Sequence, residues 1–362
     1  MRTIQMSSYT VGEDCFEAIP AALSPYRAKT VVLVGGRRAL AAAAPGIRAA
    51  LDDTDVQIID EIVYGTDSTQ SAIDALVENP AFRAADVAFA IGGGKAIDTV
   101  KTAAKELDKT VFSVPTICSN CSSATAIAVV YNDDHSLKGY AYPDAPAHIF
   151  INPAIIAAAP EEYFWAGIGD ALSKQPEVEY ATSGGGLTHT GALGLALAHT
   201  CTEPLMTFGE QGLADVRASR ASEAVKQIAL DIVVNTGYVS NLTNQPDFYY
   251  NSSLAHAFYN ATTGIPRGNR PYLHGEVVSF GVLVLFAYIG DTEQLERYAA
   301  FNKKLGLPVT LAELDLDESH LDRIAELARN TNEWKQGNPE PFTTAAFIEA
   351  IKTADAFGKT LA

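Results

Sequence analysis

The sequence predicts an α/β half followed by an all-helical half. Three observations carry this. Strand-length apolar runs alternate with helical stretches up to about residue 150, two of those runs end directly in glycines, and after Asn152 nearly every segment has helical period. At 362 residues the chain is too long for one comfortable core. The expected division is an α/β domain over 1–160 and an all-helical domain over 161–362.

In order, residues 28–36 (AKTVVLVGG) read as a strand with a glycine turn, and 39–51 as an alanine-rich helix. Residues 55–64 are a further strand and 68–77 a helix. Then comes the stretch around which the first half is organised, DVAFAIGGGKAIDTVKTAAKEL at 86–107. Its apolar run to Ile91 is of strand length, Gly92, Gly93 and Gly94 follow, and Ile97, Val100, Ala104 and Leu107 recur at helical spacing. Glycines opening a helix let a ligand approach unpaired N–H groups at the positive end of the helix dipole, which favours a phosphate or pyrophosphate. Lys95 adds a cationic donor. The alternative is a tight turn needing positive φ, and the spacing matches neither G-x-G-x-x-G nor a Walker loop. TVFSVP at 110–115 is the next strand, and 126–151 (AIAVVY, NDDHS, LKGYAY) read as an antiparallel hairpin on the rim. Strands alternating with helices imply a mostly parallel sheet, with ligands beyond its carboxyl ends. The glycines at 35–36 and 92–94 and the segment from Thr116 to Ser119 fall at that edge.

Composition narrows the function classes. Hydrophobic content of 48% and charged content of 19% describe an ordinary globular protein. The net charge of -17, from 43 acidic against 26 basic residues, repels a phosphate backbone, so nucleic acid is not expected as a partner. No apolar run approaches the roughly 20 residues of a membrane helix and the amino end lacks signal-peptide character, so no membrane is expected and a cytoplasmic location is. Four cysteines do not make a disulfide scaffold.

In the second half, Asn152-Pro153 is a helix start, and 213–234 and 344–357 each read as one helix. Asp170, His256 and His274 stand out there. A carboxylate and two imidazoles suit a catalytic divalent ion with one position open. Their spacing resembles no zinc motif, and a helix-capping Asp with two hydrogen-bonded core histidines is the alternative. Glycines flank Asp170 and His274, which fits close approach of a ligand.

Taken together, IGGGKAIDTVK at 91–101, PTICS at 115–119, AGIGDAL at 166–172, AHAFYNATTGIP at 255–266 and LHGEVVSFG at 273–281 resemble the glycerol dehydrogenase branch of the iron-containing alcohol dehydrogenases. Five collinear motifs make the similarity specific over about residues 5–360. The resemblance implies an amino-terminal α/β dinucleotide-binding domain and an all-α metal-binding domain. It implies reversible hydride transfer between a secondary alcohol and a nicotinamide. It places Asp170, His256 and His274 as metal ligands and catalytic centre, Gly93, Gly94, Lys95 and Asp98 on the pyrophosphate loop, and Thr116, Ser119, Thr125, Ile127 and Tyr131 along the nicotinamide and adenosine pockets. Iron members carry a fourth ligand, a His, where this chain has Lys174, so zinc is expected ahead of iron. In the turn at Gly36, NAD-specific members carry an acidic residue and this chain has Arg37 and Arg38, so NADP is expected ahead of NAD. Glycerol dehydrogenases place a substrate-binding Asp where Cys121 stands, whereas a subgroup acting on 2-hydroxy acids carries a Cys. A polyol or a 2-hydroxy acid is therefore the expected substrate. Cys118 and Cys121 form C-x-x-C, read as pocket lining rather than a redox pair. Pro176 is expected to disturb the helix of Asp170. The alternatives are a sugar-phosphate cyclase-type lyase and a non-catalytic dinucleotide-binding protein. A homo-oligomer is expected.

Overall fold

In the first half, alternate residues of each strand must be covered on two sides, and both sides are built. The computed structural model describes residues 3–268 and 270–361. Its strands run β1 (Ser8–Val11), β2 (Thr30–Gly35), β3 (Gln57–Val63), β4 (Val87–Gly92), β5 (Thr110–Pro115), the hairpin β6 (Ala128–Tyr131) and β7 (Leu137–Ala141), and β8 (His148–Ile151). All but the hairpin pair in parallel in the order β1-β8-β5-β4-β2-β3. Val31, Leu33, Phe89 and Phe112 face one side, under α1 (Arg37–Leu51) and Phe16, Ile19 and Leu23. Val32, Val34, Ala88 and Ala90 face the other, under α2 (Gln70–Glu78) and α3 (Gly94–Glu106).

The register brings the turns together. Gly35 pairs with Ile91 and Gly92 with Pro115, so the ends of β2, β4 and β5 lie side by side. β2 and β4 are neighbours whose following helices cover opposite faces. Their carboxyl ends therefore diverge, the place where an open α/β sheet binds ligands.

The helical start at Asn152-Pro153 forms as expected, with Asn152 Oδ1 accepting from the amides of Ala154 and Ile155. Several expectations need correcting. β1 and β8 belong to the main sheet, and β8 lies inside the stretch read wholly as a rim hairpin. Four residues, the last three buried in a row, carry no period that separates a strand from a loop. Strands also recur after Asn152, as a two-residue ladder of β9 (Asn244–Gln245) and β10 (Phe248–Tyr249). The helix expected over 213–234 is broken. Glu203–Arg217 ends, Ser219 takes a φ of 49°, and Ser222 caps Glu223–Leu230 by accepting from the Val225 amide.

The chain forms two units. One is the chain through Glu161 with Asp215–Gly237, a segment that the expected division at 160 counted with the helical half. The other is Glu162–Ala214 with the chain from Tyr238 onward. Its relevant helices are α4 (Glu161–Ala171), α5 (Lys174–Thr182), α6 (Leu254–Thr262) and α7 (His274–Ile289). α7 is apolar on every side after its first turn and is buried from Gly275 to Phe286, as a central helix requires. Pro176 sits in the first turn of α5, where its missing N–H leaves no hydrogen bond broken, and α4 has already ended at Ala171. The helix of Asp170 is therefore undisturbed by it. Among the described residues no helix is long and apolar enough to cross a membrane.

Candidate functional site

Asp170 lies in the last turn of α4 and is buried. A carboxylate there is out of water and faces the negative end of its own helix dipole, so it needs cationic or hydrogen-bonding partners. They come from far along the chain. His274 Nε2, on the first residue of α7, is 3.0 Å from Asp170 Oδ1, and His256 Nε2, on α6, is 3.6 Å from the same oxygen. The three ligand atoms all lie within 4.8 Å of one another. Tetrahedral ligands around zinc at about 2.0–2.1 Å stand roughly 3.3–3.4 Å apart, so both distances to Asp170 differ from a filled site by only a few tenths of an ångström. The donor set fits one divalent cation.

The electrostatics agree with that. Burial would raise the pKa of Asp170, but the imidazoles, His274 foremost, hold the carboxyl well below the usual carboxylate range. Burial would likewise lower that of His256, but the carboxylates of Glu177 and Asp170 push it up to about 10.

Two glycines let the helices come this close. A Cβ on Gly275 would stand 1.8 Å from the Ala166 carbonyl oxygen and 2.6 Å from the Asp170 amide nitrogen, and one on Gly169 would stand 2.4 Å from the Gly275 carbonyl. These flanking glycines serve helix contact, not the approach of a ligand. Asp170 and His274 are the next residues along, so the contact sets them side by side. Lys174, buried where iron members carry a His, donates from Nζ to Asn251 O and Oδ1, both at 2.8 Å. It ties down the chain ahead of His256 and leaves three ligands.

Glu177 was not singled out by sequence reasoning. It is fully buried, accepts from His256 Nδ1 at 2.6 Å, and also takes the amides of Ser253 and His256 at 2.7 and 3.0 Å. The available signal was an acidic residue seven positions after Asp170, in the first turn of the next helix.

In the first unit the candidate residues gather at the carboxyl edge of β2, β4 and β5. Gly92 has a φ of +147°, which requires glycine, and Gly93 is the N-cap of α3 with no side chain capping it. The first-turn N–H groups of α3 thus receive no acceptor from an N-cap side chain. A Cβ on Gly93 would stand 2.4 Å from Ile117 Cδ1 and one on Gly94 2.8 Å from Asn120 Nδ2, because the loop carrying Thr116 and Ser119 folds over this turn. Thr116 N donates to Gly92 O at 3.1 Å. Gly36 caps α1 with open space around it, again with no side-chain cap. Arg37 and Arg38 follow, exposed in a first turn that holds no acidic residue. Cations there oppose the helix dipole, and neither guanidinium pairs with a carboxylate among the described residues.

Other candidates make contacts with the loop itself. Asp98 is buried, accepting from Ser122 Oγ at 2.6 Å and Val129 N at 3.0 Å. Lys101, which sequence reasoning passed over, is fully buried one turn further. Its ammonium donates to Ser122 O, Thr125 O and Ile127 O at 2.8, 3.0 and 2.7 Å and pairs with Asp98 at 3.1 Å. Burial lowers its pKa, against Asp98. Lys95, expected as a cationic donor, is ion-paired with buried Asp67 at 2.9 Å and lies 5.8 Å from the ring centre of Tyr131. Cys121 is half-buried just before Ser122. No disulfide joins it to Cys118, whose thiol is pushed well up by burial and then by Asp231, the reverse of a redox-active thiol.

An α/β unit with uncapped glycine turns at its switch point and a helical unit holding an Asp-His-His cluster together define an oxidoreductase acting on small alcohols. The chain belongs to the iron-containing alcohol dehydrogenase family. That family's sequence model matches residues 7–153. A glycerol dehydrogenase of Thermotoga maritima is 33% identical over 319 residues, 84% of each chain. Hydroxycarboxylate dehydrogenase A of Escherichia coli is 32% identical over 247 residues, 68% of this chain and 67% of that one. The crystal structure of a probable glycerol dehydrogenase from Sinorhizobium meliloti 1021 superposes with a TM-score of 0.81 at 26% identity, covering 100% of both chains. These relatives do not favour the lyase or the non-catalytic alternative.

Proposed function

We propose that this chain interconverts a small secondary alcohol and its carbonyl form using NADP ahead of NAD and one divalent ion, zinc ahead of iron. The observation that carries the reading is the meeting of Asp170 Oδ1, His256 Nε2 and His274 Nε2 within 4.8 Å, a set of three among the described residues. When bound, such an ion supplies Lewis acidity toward a substrate oxygen and the dinucleotide supplies the hydride acceptor. In oxidation the carbinol carbon loses a hydride to the nicotinamide and the hydroxyl proton is released to solvent, leaving the carbonyl. The two imidazoles and Asp170 orient the oxygen end of the substrate, and the buried surroundings of Glu177 keep water from the back of His256. The first-turn N–H groups of α3 receive the pyrophosphate. Arg37 and Arg38, unpaired and placed against their own helix dipole, suit a 2'-phosphate. Asp98 and Lys101 shape the loop bearing Thr116, Ser119, Cys121, Thr125 and Ile127, and Tyr131 closes its far end.

The substrate favoured is a 2-hydroxy acid or another small carbonyl partner ahead of glycerol, because a thiol at Cys121 offers no paired acceptors to a polyol. The test is kcat/KM for glycerol and for lactate-type hydroxy acids, with both dinucleotides, in wild type and Cys121→Asp. A buried hydroxyl without an acceptor costs about 1–3 kcal/mol, so the glycerol-to-hydroxy-acid ratio should rise at least about tenfold in the variant. A wild type that already prefers glycerol, or an unmoved ratio, refutes the role of Cys121.

A further inference from the structure

The geometry points to Glu177 as a positioning residue of the metal centre: its carboxylate accepts a hydrogen bond from the Nδ1–H of His256 and fixes the tautomer whose Nε2 lone pair faces Asp170 and His274. The inference rests on the metal reading above. Three N–H groups converge on this one fully buried carboxylate. Oε1 accepts from the amides of Ser253 and His256 at 2.7 and 3.0 Å, and Oε2 from the ring at 2.6 Å.

The two amides belong to the start of α6, whose N-cap residue, Ser253, makes no side-chain cap bond. Glu177 thus caps α6 from a neighbouring helix. A glutamine of the same size would satisfy those amides through its carbonyl oxygen without burying a charge. What it cannot do at the same time is accept from the ring, because its NH₂ would then face Nδ1. The imidazole would have to turn its lone pair to Nδ1 and carry a proton on Nε2, pointing it at Asp170. The charge is therefore explained by the ring N–H.

Lys174 lies one turn earlier on the same face of α5 and holds Asn251 through two 2.8 Å bonds. α5 follows α4, the helix of Asp170, after only two residues, so one short stretch carries the first ligand and clamps the approach to the second at two points.

The test uses zinc and the full chain. In wild type loaded with zinc, ¹H–¹⁵N correlation spectra of the seven histidines should show His256 protonated at Nδ1 with Nε2 the metal-bound nitrogen. Glu177→Gln should bind zinc about 10- to 100-fold more weakly in competition with a chromophoric chelator. A wild-type His256 protonated at Nε2, or a Glu177→Gln zinc affinity within twofold of wild type, overturns the inference. If the variant does not fold, the wild-type spectrum decides alone. Failure of wild type to take up zinc, iron or any other divalent ion refutes the metal reading itself, and the inference with it. Normal zinc uptake with an undisturbed Glu177→Gln refutes only the role of Glu177.

Discussion

Gly275→Ala isolates the helix contact that assembles the centre, because it adds one methyl and touches no ligand. The added Cβ would stand 1.8 Å from the Ala166 carbonyl oxygen, and bringing that to the 3.0 Å below which real Cβ atoms are essentially never found takes a displacement of about 1.2 Å. Both groups it meets are backbone of α4, Ala166 O and Asp170 N, so no side chain can rotate away. The helices must part. Overpacking of this kind costs about 1–3 kcal/mol, which for a unit of this size lowers Tm by roughly 2–12 °C. The same movement carries Asp170 away from His274, now 3.0 Å apart, and a misplacement of about 1 Å in a reacting constellation can cost about a hundredfold. Zinc affinity should fall at least about tenfold and kcat/KM about a hundredfold, read by chelator competition and steady-state kinetics. Gly36→Ala is the control, since nothing lies within 4 Å of that position, and it should leave zinc affinity unchanged. A Gly275→Ala protein with wild-type Tm and zinc affinity would refute the argument that this glycine sets the ligand spacing.

Removing a ligand should act on the metal before the fold: His274→Ala is expected to lose stoichiometric zinc and several orders of magnitude in turnover while circular dichroism stays native. Full activity in the metal-free variant would contradict it. Changing Arg37 and Arg38 together to Ala should weaken NADPH by about 10- to 100-fold, the worth of a charge-assisted contact to phosphate, and leave NADH nearly untouched in calorimetry. Equal losses for both would mean that the arginines act only structurally. Lys101→Met keeps the volume but leaves the carbonyls of Ser122, Thr125 and Ile127 without their donor and Asp98 without its counter-ion, so denaturant unfolding should show a loss of about 3–5 kcal/mol. A loss under 1 kcal/mol would mean that these groups find water or other partners.

The α/β succession, the glycine turns, the Asn152-Pro153 cap and the three chemical candidates Asp170, His256 and His274 were legible in the sequence, because apolar periodicity, proline and glycine, and the identity of metal-binding side chains are properties of short stretches. β1 and β8 were not, since four-residue strands become strands only by pairing with each other in register. Nor was the break at Ser219, where a local turn overrides an otherwise continuous helical period. At the site, only the fold decided the partners. Lys95 was a cationic donor by its place after three glycines, and only the fold paired it with Asp67, 28 residues away. The glycines beside Asp170 and His274 looked like room for a ligand and proved to be where two helix backbones touch. Glu177 and Lys101 resembled ordinary helix residues, for a charge on a helix reads as solvent-facing unless one knows what packs against it. Apart from Asp98, three residues before Lys101, their buried partners lie 21 to 79 residues away along the chain, a separation over which local pattern carries no information and tertiary packing carries all of it.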